Sequence, residues 1–226
     1  MKVSIFDNAF GHGRSVETEK DIMLYMGEGG RSMSWMPSIE VETAQGIREI
    51  SLRTYHLMKG RIFLSGEITH ETSQYFLEQI LYLEEEGKSA QVIIDSQGGN
   101  VDAGMSIYDV LQSAKIPVDL YCDGYAMSMA AIILSGGQKG HRFILPHSRV
   151  MIHEPLIRNE IGGSASSIRN LSETLLEARN MTNGILAKHT GKTLEEINKA
   201  TECDYYMDAD QAVEFGIVDR VVSRIG

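Results

Sequence analysis

Apolar and polar positions alternate in blocks along the middle of this chain, and the blocks predict strands followed by helices. Short apolar runs at residues 61–65, 91–95 and 118–122 have the length and composition of buried strands. Between them, residues 70–86 and 100–114 place apolar side chains three and four positions apart, which is typical of helices with one buried face. Strands that alternate with helices favour a parallel sheet with crossover helices, so an α/β fold is expected.

The second half of the chain continues this pattern around one long helix. Residues 164–189 form the longest periodic segment, and Gly191 just past its end is typical of a C-terminal cap. Its apolar stripe consists of Ile168, Leu171, Leu175, Ala178, Thr182 and Ile185. The other elements predicted here are strands and short helices at residues 142–145, 149–152, 193–200, 209–215 and 217–222.

The first 35 residues differ from the rest, since they are rich in glycine and have one helical pattern, at residues 16–26. We therefore predict an N-terminal extension over residues 1–35 and a folded domain over residues 36–226, which begins with a helical pattern at residues 50–58. The 42% hydrophobic share is enough for a sizeable core in that domain.

Charge and cysteine content narrow the class of protein. The net charge of −10 argues against a nucleic-acid-binding protein, which needs clustered Lys and Arg. No apolar run approaches a membrane span, and the first residues do not follow the order of a secretion signal, so no membrane partner is expected. Two cysteines, Cys122 and Cys203, make neither a disulfide framework nor a zinc site and favour a reducing cytoplasm.

A metal or cofactor site is not expected either. His141, His147 and His153 are spaced by six, but Pro146 interrupts any single strand through them. No cysteine or carboxylate cluster accompanies these histidines, so the spacing does not predict metal ligands.

Three residues in the second half could instead form a nucleophilic site. Ser128 follows an apolar strand and precedes an apolar helix, His153 follows another strand, and Asp204 precedes a Tyr-Tyr-Met segment. Together they supply the nucleophile, the base and the orienting acid of a serine hydrolase. Each also has a simpler explanation, as a helix cap, a core histidine or a capping aspartate.

Two backbone amides would complete such a site. The N–H of Met129 lies at the predicted start of a helix, and Gly99 ends a predicted tight turn at residues 96–99 after an apolar strand. Both could donate to the oxyanion of a tetrahedral intermediate. A glycine turn and a helix cap without catalytic meaning explain the same spacing.

Several segments in one order resemble the Clp protease proteolytic subunit family (ClpP) from about residue 37 to residue 222. The most telling are Asp95-Ser-Gln-Gly-Gly99, Gly124-Tyr-Ala-Met-Ser-Met-Ala130 and Leu145-Pro-His-Ser-Arg-Val-Met-Ile-His-Glu-Pro155. The resemblance implies a catalytic triad of Ser128, His153 and Asp204 and oxyanion donors at Gly99 and Met129. It also implies an apolar first pocket for substrate, shaped by Val101, Met129, Pro155 and Leu156.

The resemblance further implies a crotonase-like spiral of ββα units with a projecting strand–helix handle at about residues 157–189. A homo-tetradecamer of two seven-membered rings would enclose the active sites, and an ATP-driven Clp unfoldase of the AAA+ class would feed in polypeptides. The N-terminal extension would then lie at the axial pore, as a cleaved propeptide or a retained gate.

Departures from the family pattern cluster at functional positions. Gln97 and Glu154 replace a usual proline and glutamine beside the site. Cys203 and a serine, Ser167, stand where the family has an ion pair between rings. Gln91 and Ile93 replace tyrosines of the unfoldase-docking pocket.

The preferred interpretation is an active ring-forming serine endopeptidase. A non-catalytic ring subunit and an acyl-CoA enzyme of the crotonase type are the alternatives. The intact set of Ser128, His153 and Asp204 favours the peptidase, because neither alternative requires a serine nucleophile.

Overall fold

The computed structural model of this protein describes residues 38–43, 46–157 and 162–226. These residues fall into two compact units, one that ends at Lys59 and one from Gly60 to Gly226. The predicted extension over residues 1–35 and its boundary with residue 36 lie outside the described residues, as does part of the predicted handle, at residues 158–161.

The first unit contains a β-hairpin and a short helix. Strand β1 (Ser38–Thr43) pairs antiparallel with β2 (Gly46–Ser51). Helix α1 (Leu52–Met58) begins where the Ser51 side chain accepts a hydrogen bond from the Thr54 amide, so the helical pattern at residues 50–58 is largely confirmed. The hairpin itself was not predicted, because its strands are short and rich in charged residues.

The second unit alternates strands and helices, as the apolar pattern predicted. Its first half contains β3 (Arg61–Ile68), α2 (His70–Glu85), β4 (Ala90–Gly99), α3 (Val101–Ser113), β5 (Val118–Met127) and α4 (Met129–Ser135). Its second half contains β6 (Arg142–Ile144), β7 (Arg149–Ile152), α5 (Ala165–Thr190), α6 (Leu194–Thr201), β8 (Tyr205–Met207), α7 (Ala209–Phe215) and β9 (Arg220–Val221).

The sheet of the second unit is mostly parallel and divides at β5. Strands β3, β4 and β5 are parallel neighbours. The first part of β5 pairs with β6, which pairs with β9, and the last part of β5 pairs with β7. Strand β8 joins β7 antiparallel. The expected α/β fold with crossover helices is confirmed, and the fork at β5 gives the sheet two separate branches.

Apolar faces predicted from the sequence form the core of this unit. Phe76, Ile80 and Leu83 on α2 are buried, and so are the strand residues Val92 and Leu120. Capping residues fix the helix ends: Asn100 accepts a hydrogen bond from the Ala103 amide at the start of α3, and Gly191 takes φ 79° at the end of α5. On α5 the predicted stripe is the less exposed side from Leu171 onward.

Three strands are longer than their apolar runs predicted, and the first of them, β3, continues from Ser65 to Ile68. Strand β4 continues through Gly99. The prediction of a tight turn at residues 96–99 is therefore wrong, and these residues form an irregular end of the strand. Strand β5 continues from Cys122 to Met127, because its second half gains β7 as a partner. Short β8 was missed. These additions bring the strand ends next to Ser128.

Candidate active site

Strand register brings three chain segments to one place. Met127 at the end of β5 is paired with Met151 of β7, so Ser128 leaves the sheet beside Ile152 and His153. Ile152 is paired with Tyr205 of β8. In the antiparallel direction the next positions are His153 and Asp204, which therefore face one another just beyond the last backbone pair.

Ser128 has a backbone conformation that is unusual for a residue with a side chain. Its φ is 55° and its ψ is −124°, and among the described residues it is the one non-glycine residue with a positive φ. Such a conformation costs about 1–3 kcal/mol and is found where the surrounding structure enforces it. Here the Ser128 amide donates to the Met151 carbonyl at 2.8 Å, which ties the sharp turn to β7.

The Ser128 hydroxyl does not cap the helix that follows it. Its side chain makes no capping hydrogen bond to α4. Instead, Ser128 Oγ lies 2.9 Å from His153 Nε2, within hydrogen-bond distance. A simple helix cap therefore does not explain this serine.

His153 is also near the third predicted residue. Its Nδ1 lies 3.7 Å from Oδ1 of Asp204, which is longer than a hydrogen bond. The His153 side chain is 10% exposed, whereas the Asp204 side chain is 54% exposed. The Tyr206 hydroxyl donates to Oδ2 of Asp204 at 3.5 Å. The carboxylate thus faces the imidazole from a position that solvent still reaches.

The backbone after His153 is held by the second half of the chain. The Glu154 amide donates to the Thr201 carbonyl at 2.9 Å, and the Glu154 carboxylate is 3.1 Å from Nε of Arg179 on α5. No partner for Glu154 is predictable from local sequence, because Arg179 is 25 positions away on a helix whose crossing point only the fold determines.

The end of β4 packs directly against the turn at Ser128. Gly98 has φ 88°, and a Cβ built there would lie 2.7 Å from Ser128 Cβ and 2.9 Å from the Met129 amide nitrogen. A Cβ on Gly99 would collide with the Ile68 backbone of β3. Both glycines are therefore required by close backbone approach. The Gly98-Gly99 segment and the start of α4 form one contiguous surface beside Ser128.

The predicted substrate-pocket residues are spread around these elements. Val101 begins α3 directly after the glycine segment, and Pro155 and Leu156 follow His153. Leu156 is exposed, Val101 and Pro155 are half-buried, and Met129 is buried. Their role in binding substrate stays a prediction.

A model of one protein family matches the chain over most of its length. The family is described as Clp protease, and the match covers residues 44–224. This chain belongs to the Clp protease family. The resemblance noted in the sequence is thereby confirmed. Clp proteases are serine peptidases that form oligomeric rings.

Other features of this Clp protease chain bear on cofactors and membranes. Within residues 38–43, 46–157 and 162–226, no three His, Cys, Asp or Glu residues are grouped so that they could hold a metal ion. No helix in that part of the chain has the length and apolar character needed to cross a membrane.

The family departures have visible consequences in the structure. Cys203, next to Asp204, is an exposed free thiol, and Ser167 is exposed on the first turn of α5. Neither residue carries the charge found in the family pattern. Gln91 accepts a hydrogen bond from Nε of Arg61 at 3.3 Å, and Ile93 is buried.

Proposed function

We propose that this chain is a catalytically active serine endopeptidase in which Ser128 is the nucleophile, His153 the general base and Asp204 the orienting acid. The observation that carries the proposal is the 2.9 Å distance between Ser128 Oγ and His153 Nε2. It occurs at a serine held with a positive φ, which costs free energy and has no use in capping.

The first half of the reaction would acylate Ser128. As Oγ attacks the carbonyl carbon of the scissile peptide, its proton passes to Nε2 of His153. The carbonyl oxygen becomes an oxyanion that accepts hydrogen bonds from the amides of Gly99 and Met129. When the tetrahedral intermediate collapses, the C–N bond breaks and His153 gives the proton to the leaving amine.

The second half would release the acyl group. Water attacks the ester carbonyl while His153 accepts one of its protons, and the C–O bond to Ser128 then breaks as the proton returns to Oγ. Asp204 would stabilise the positively charged imidazole in both halves. The 3.7 Å distance between His153 and Asp204 suits this role, because catalytic hydrogen bonds often shorten only once substrate is bound.

The substrate would be an extended polypeptide that lies beside the end of β4. The apolar side chains of Val101, Met129, Pro155 and Leu156 would form its first pocket. An exposed Leu156 next to a half-buried Pro155 supports this assignment, because exposed apolar groups near a reactive centre favour apolar ligands.

Assembly into two stacked rings of seven would enclose these sites. Large apolar side chains are exposed on two helices of the second unit, which supports burial by other copies. They are Tyr75, Leu77 and Leu81 on α2 and Ile168, Leu176 and Met181 on α5.

An AAA+ Clp unfoldase in the cytoplasm would deliver folded proteins to this chamber with ATP. Its docking surface would differ from the family pattern, since Gln91 is paired with Arg61 and Ile93 is buried. Degradation of a folded protein with and without such an unfoldase and ATP measures this partnership.

A fluorophosphonate probe and a short fluorogenic peptide test the proposed peptidase. We expect the probe to label Ser128 and the peptide to be cleaved, and both signals to be lost in Ser128→Ala. Sizing of the active species on the same samples reports the ring assembly.

The alternatives predict other outcomes. A non-catalytic ring subunit would assemble without labelling or cleavage, and an acyl-CoA enzyme would turn over a thioester in Ser128→Ala as well as in the wild type. Either result would contradict the proposed peptidase.

A further inference from the structure

Beside the glycine segment, a buried hydroxyl fastens an irregular part of the sheet. Ser96 on β4 is completely buried. Its Oγ donates to the Gly66 carbonyl of β3 at 2.5 Å and accepts a hydrogen bond from the Gly98 amide at 3.1 Å. One side chain thus links β3 to the glycine that contacts Ser128.

The link is located at a β-bulge. Ser65 is paired with Asp95, and the next pair is Glu67 with Gly98. One β3 residue, Gly66, therefore lies opposite two β4 residues, Ser96 and Gln97. Bulges bend a strand and redirect the residues that follow, and they are common beside active sites. In this chain the strand end that follows the bulge brings Gly98 against Ser128 and the start of α4.

The contacts of Gly98 transmit its position to the reacting groups. A Cβ at Gly98 would be closer than 3 Å to the Met127 carbonyl oxygen, the Ser128 Cβ and the Met129 amide nitrogen. A shift of this backbone would therefore change the spacing between the Gly99 and Met129 amides. Misplacement of a catalytic group by about 1 Å can reduce a rate by about a hundredfold.

We propose that Ser96 is a positioning residue for the oxyanion donors of the peptidase reaction. Its hydroxyl holds the bulge in the form that directs the Gly99 amide toward the same point as the Met129 amide. The inference rests on the proposed function. Ser96 touches no substrate, so its effect is expected on transition-state stabilisation and not on substrate binding.

Ser96→Ala tests this inference against a matched control. Ser135 is also a completely buried serine, and its Oγ donates to the Ile132 carbonyl at 2.8 Å within α4. Ser135→Ala therefore removes a comparable buried hydrogen bond without touching β4. Both variants are expected to lose some stability, but only Ser96→Ala should change catalysis.

The expected result for Ser96→Ala is a fall in kcat of about tenfold with KM within about twofold, which corresponds to the loss of roughly one hydrogen bond in the transition state. The inhibition constant of a peptide boronic acid, whose tetrahedral adduct with Ser128 needs the oxyanion donors, should rise by the same factor. Ser135→Ala should leave kcat, KM and the inhibition constant unchanged.

A purely structural Ser96 would give another result. If Ser96→Ala and Ser135→Ala have the same kcat and inhibition constant, the positioning role is wrong while the peptidase assignment stands. If Ser96→Ala does not fold, Ser96→Cys keeps most of the volume with a much weaker hydrogen-bonding group and should show the same separation of kcat from KM. If that separation of kcat from KM is absent, the inference is overturned. A wild-type chain that cleaves no peptide would overturn both proposals.

Discussion

Each of the two branches that leave β5 has a basic side chain beside a carboxylate, and these two pairs have opposite surroundings. In the β6–β9 branch, Arg142 lies 2.7 Å from Asp219, and the side chains are 3% and 14% exposed. In the β7–β8 branch, His153 and Asp204 are 3.7 Å apart, and the carboxylate is largely exposed. The first pair is closed to solvent, whereas the second is open on the carboxylate side.

The hydrogen bonds of Arg142 show what a buried structural charge needs. Besides two bonds to Asp219, its guanidinium donates to the carbonyls of Ser135, His189 and Gly216. These bonds join four elements and leave the group little freedom. The proposed general base, His153, has to give and take a proton at Nε2, so that nitrogen must stay available to Ser128. The comparison separates a buried, fully hydrogen-bonded pair that fastens several elements of the fold from an exposed pair that lies beside the proposed nucleophile.

The largest effect that would separate the branches is expected for Ser128→Gly. Peptide cleavage should fall by about 10⁴-fold or more, because the proposed nucleophile is gone. Glycine adopts a positive φ without a steric conflict of Cβ. The free energy of unfolding of Ser128→Gly should therefore be about 1 kcal/mol higher than that of Ser128→Ala. Peptide hydrolysis and urea denaturation measure the two effects. Equal stability of the two variants would show that the turn is not strained.

Arg142→Met is expected to have the opposite profile. It leaves the Asp219 carboxylate in a mostly buried site without its partner and removes the donor to three carbonyls. The free energy of unfolding should fall by about 3–5 kcal/mol. Activity per folded molecule should change little, since Arg142 lies on the other branch. An exposed charge removed as a control, Lys88→Met, should cost less than about 1 kcal/mol. If Arg142→Met lowered the free energy of unfolding by less than about 1 kcal/mol, the proposed structural role of the Arg142 hydrogen bonds would be contradicted.

The two branches should also respond to pH in different ranges. Burial works to raise the pKa of Asp219, but the hydrogen bonds and charge of Arg142 and the Gly140 amide outweigh it and lower that pKa below its ordinary value. Its stabilisation is therefore present above the ordinary carboxyl range, about pH 4, and is lost as the pH falls through the lower folded value.

As the pH falls, activity should be lost before stability is. A general base must be neutral, and histidines ordinarily take up a proton near pH 6.5. Hydrolysis and unfolding free energy measured from pH 3 to pH 8 should thus decline in two separate steps. Asp219→Asn should flatten the acidic step of stability and leave the pH profile of activity in place. A single coincident step would contradict the separation.

The smallest expected effect concerns the two cysteines, one in the shared strand and one beside Asp204. Burial raises the pKa of the Cys122 thiol to about 12, so alkylation should spare it. The exposed Cys203 should react, and its adduct should reduce hydrolysis roughly 2- to 10-fold by displacing Asp204. Cys203→Ser should resist the reagent. Full activity after complete labelling of Cys203 would show that Asp204 is not disturbed.

Much of the fold followed from local patterns in the sequence. The faces of α2 and α5, the cap at Gly191 and the alternation of strands and helices are properties of neighbouring residues. The hairpin of β1 and β2, the last five residues of β5 and the short β8 depend on pairing partners elsewhere in the chain. A ladder of backbone hydrogen bonds leaves no pattern in the side chains of a three-residue strand.

The candidate site shows the same division. Ser128, His153 and Asp204 were found from residue type, chain order and a family resemblance. The positive φ of Ser128, the Glu154–Arg179 contact and the bonds of Ser96 were not, because each depends on long-range geometry. In the sequence, Ser96 is recognisable only as part of a glycine motif, because residue type alone does not tell a buried serine hydroxyl from an exposed one.

The pairing of β7 with β8 also has a consequence for how this chain can change in length. His153 and Asp204 meet because three neighbouring residue pairs set their register, although about fifty residues separate them. Lengthening a connection between elements is inexpensive, at about 0.6 kcal/mol for each doubling of a flexible loop. An insertion in the connection at residues 162–164 would therefore cost little, whereas one residue added inside β8 would turn Asp204 away from the histidine.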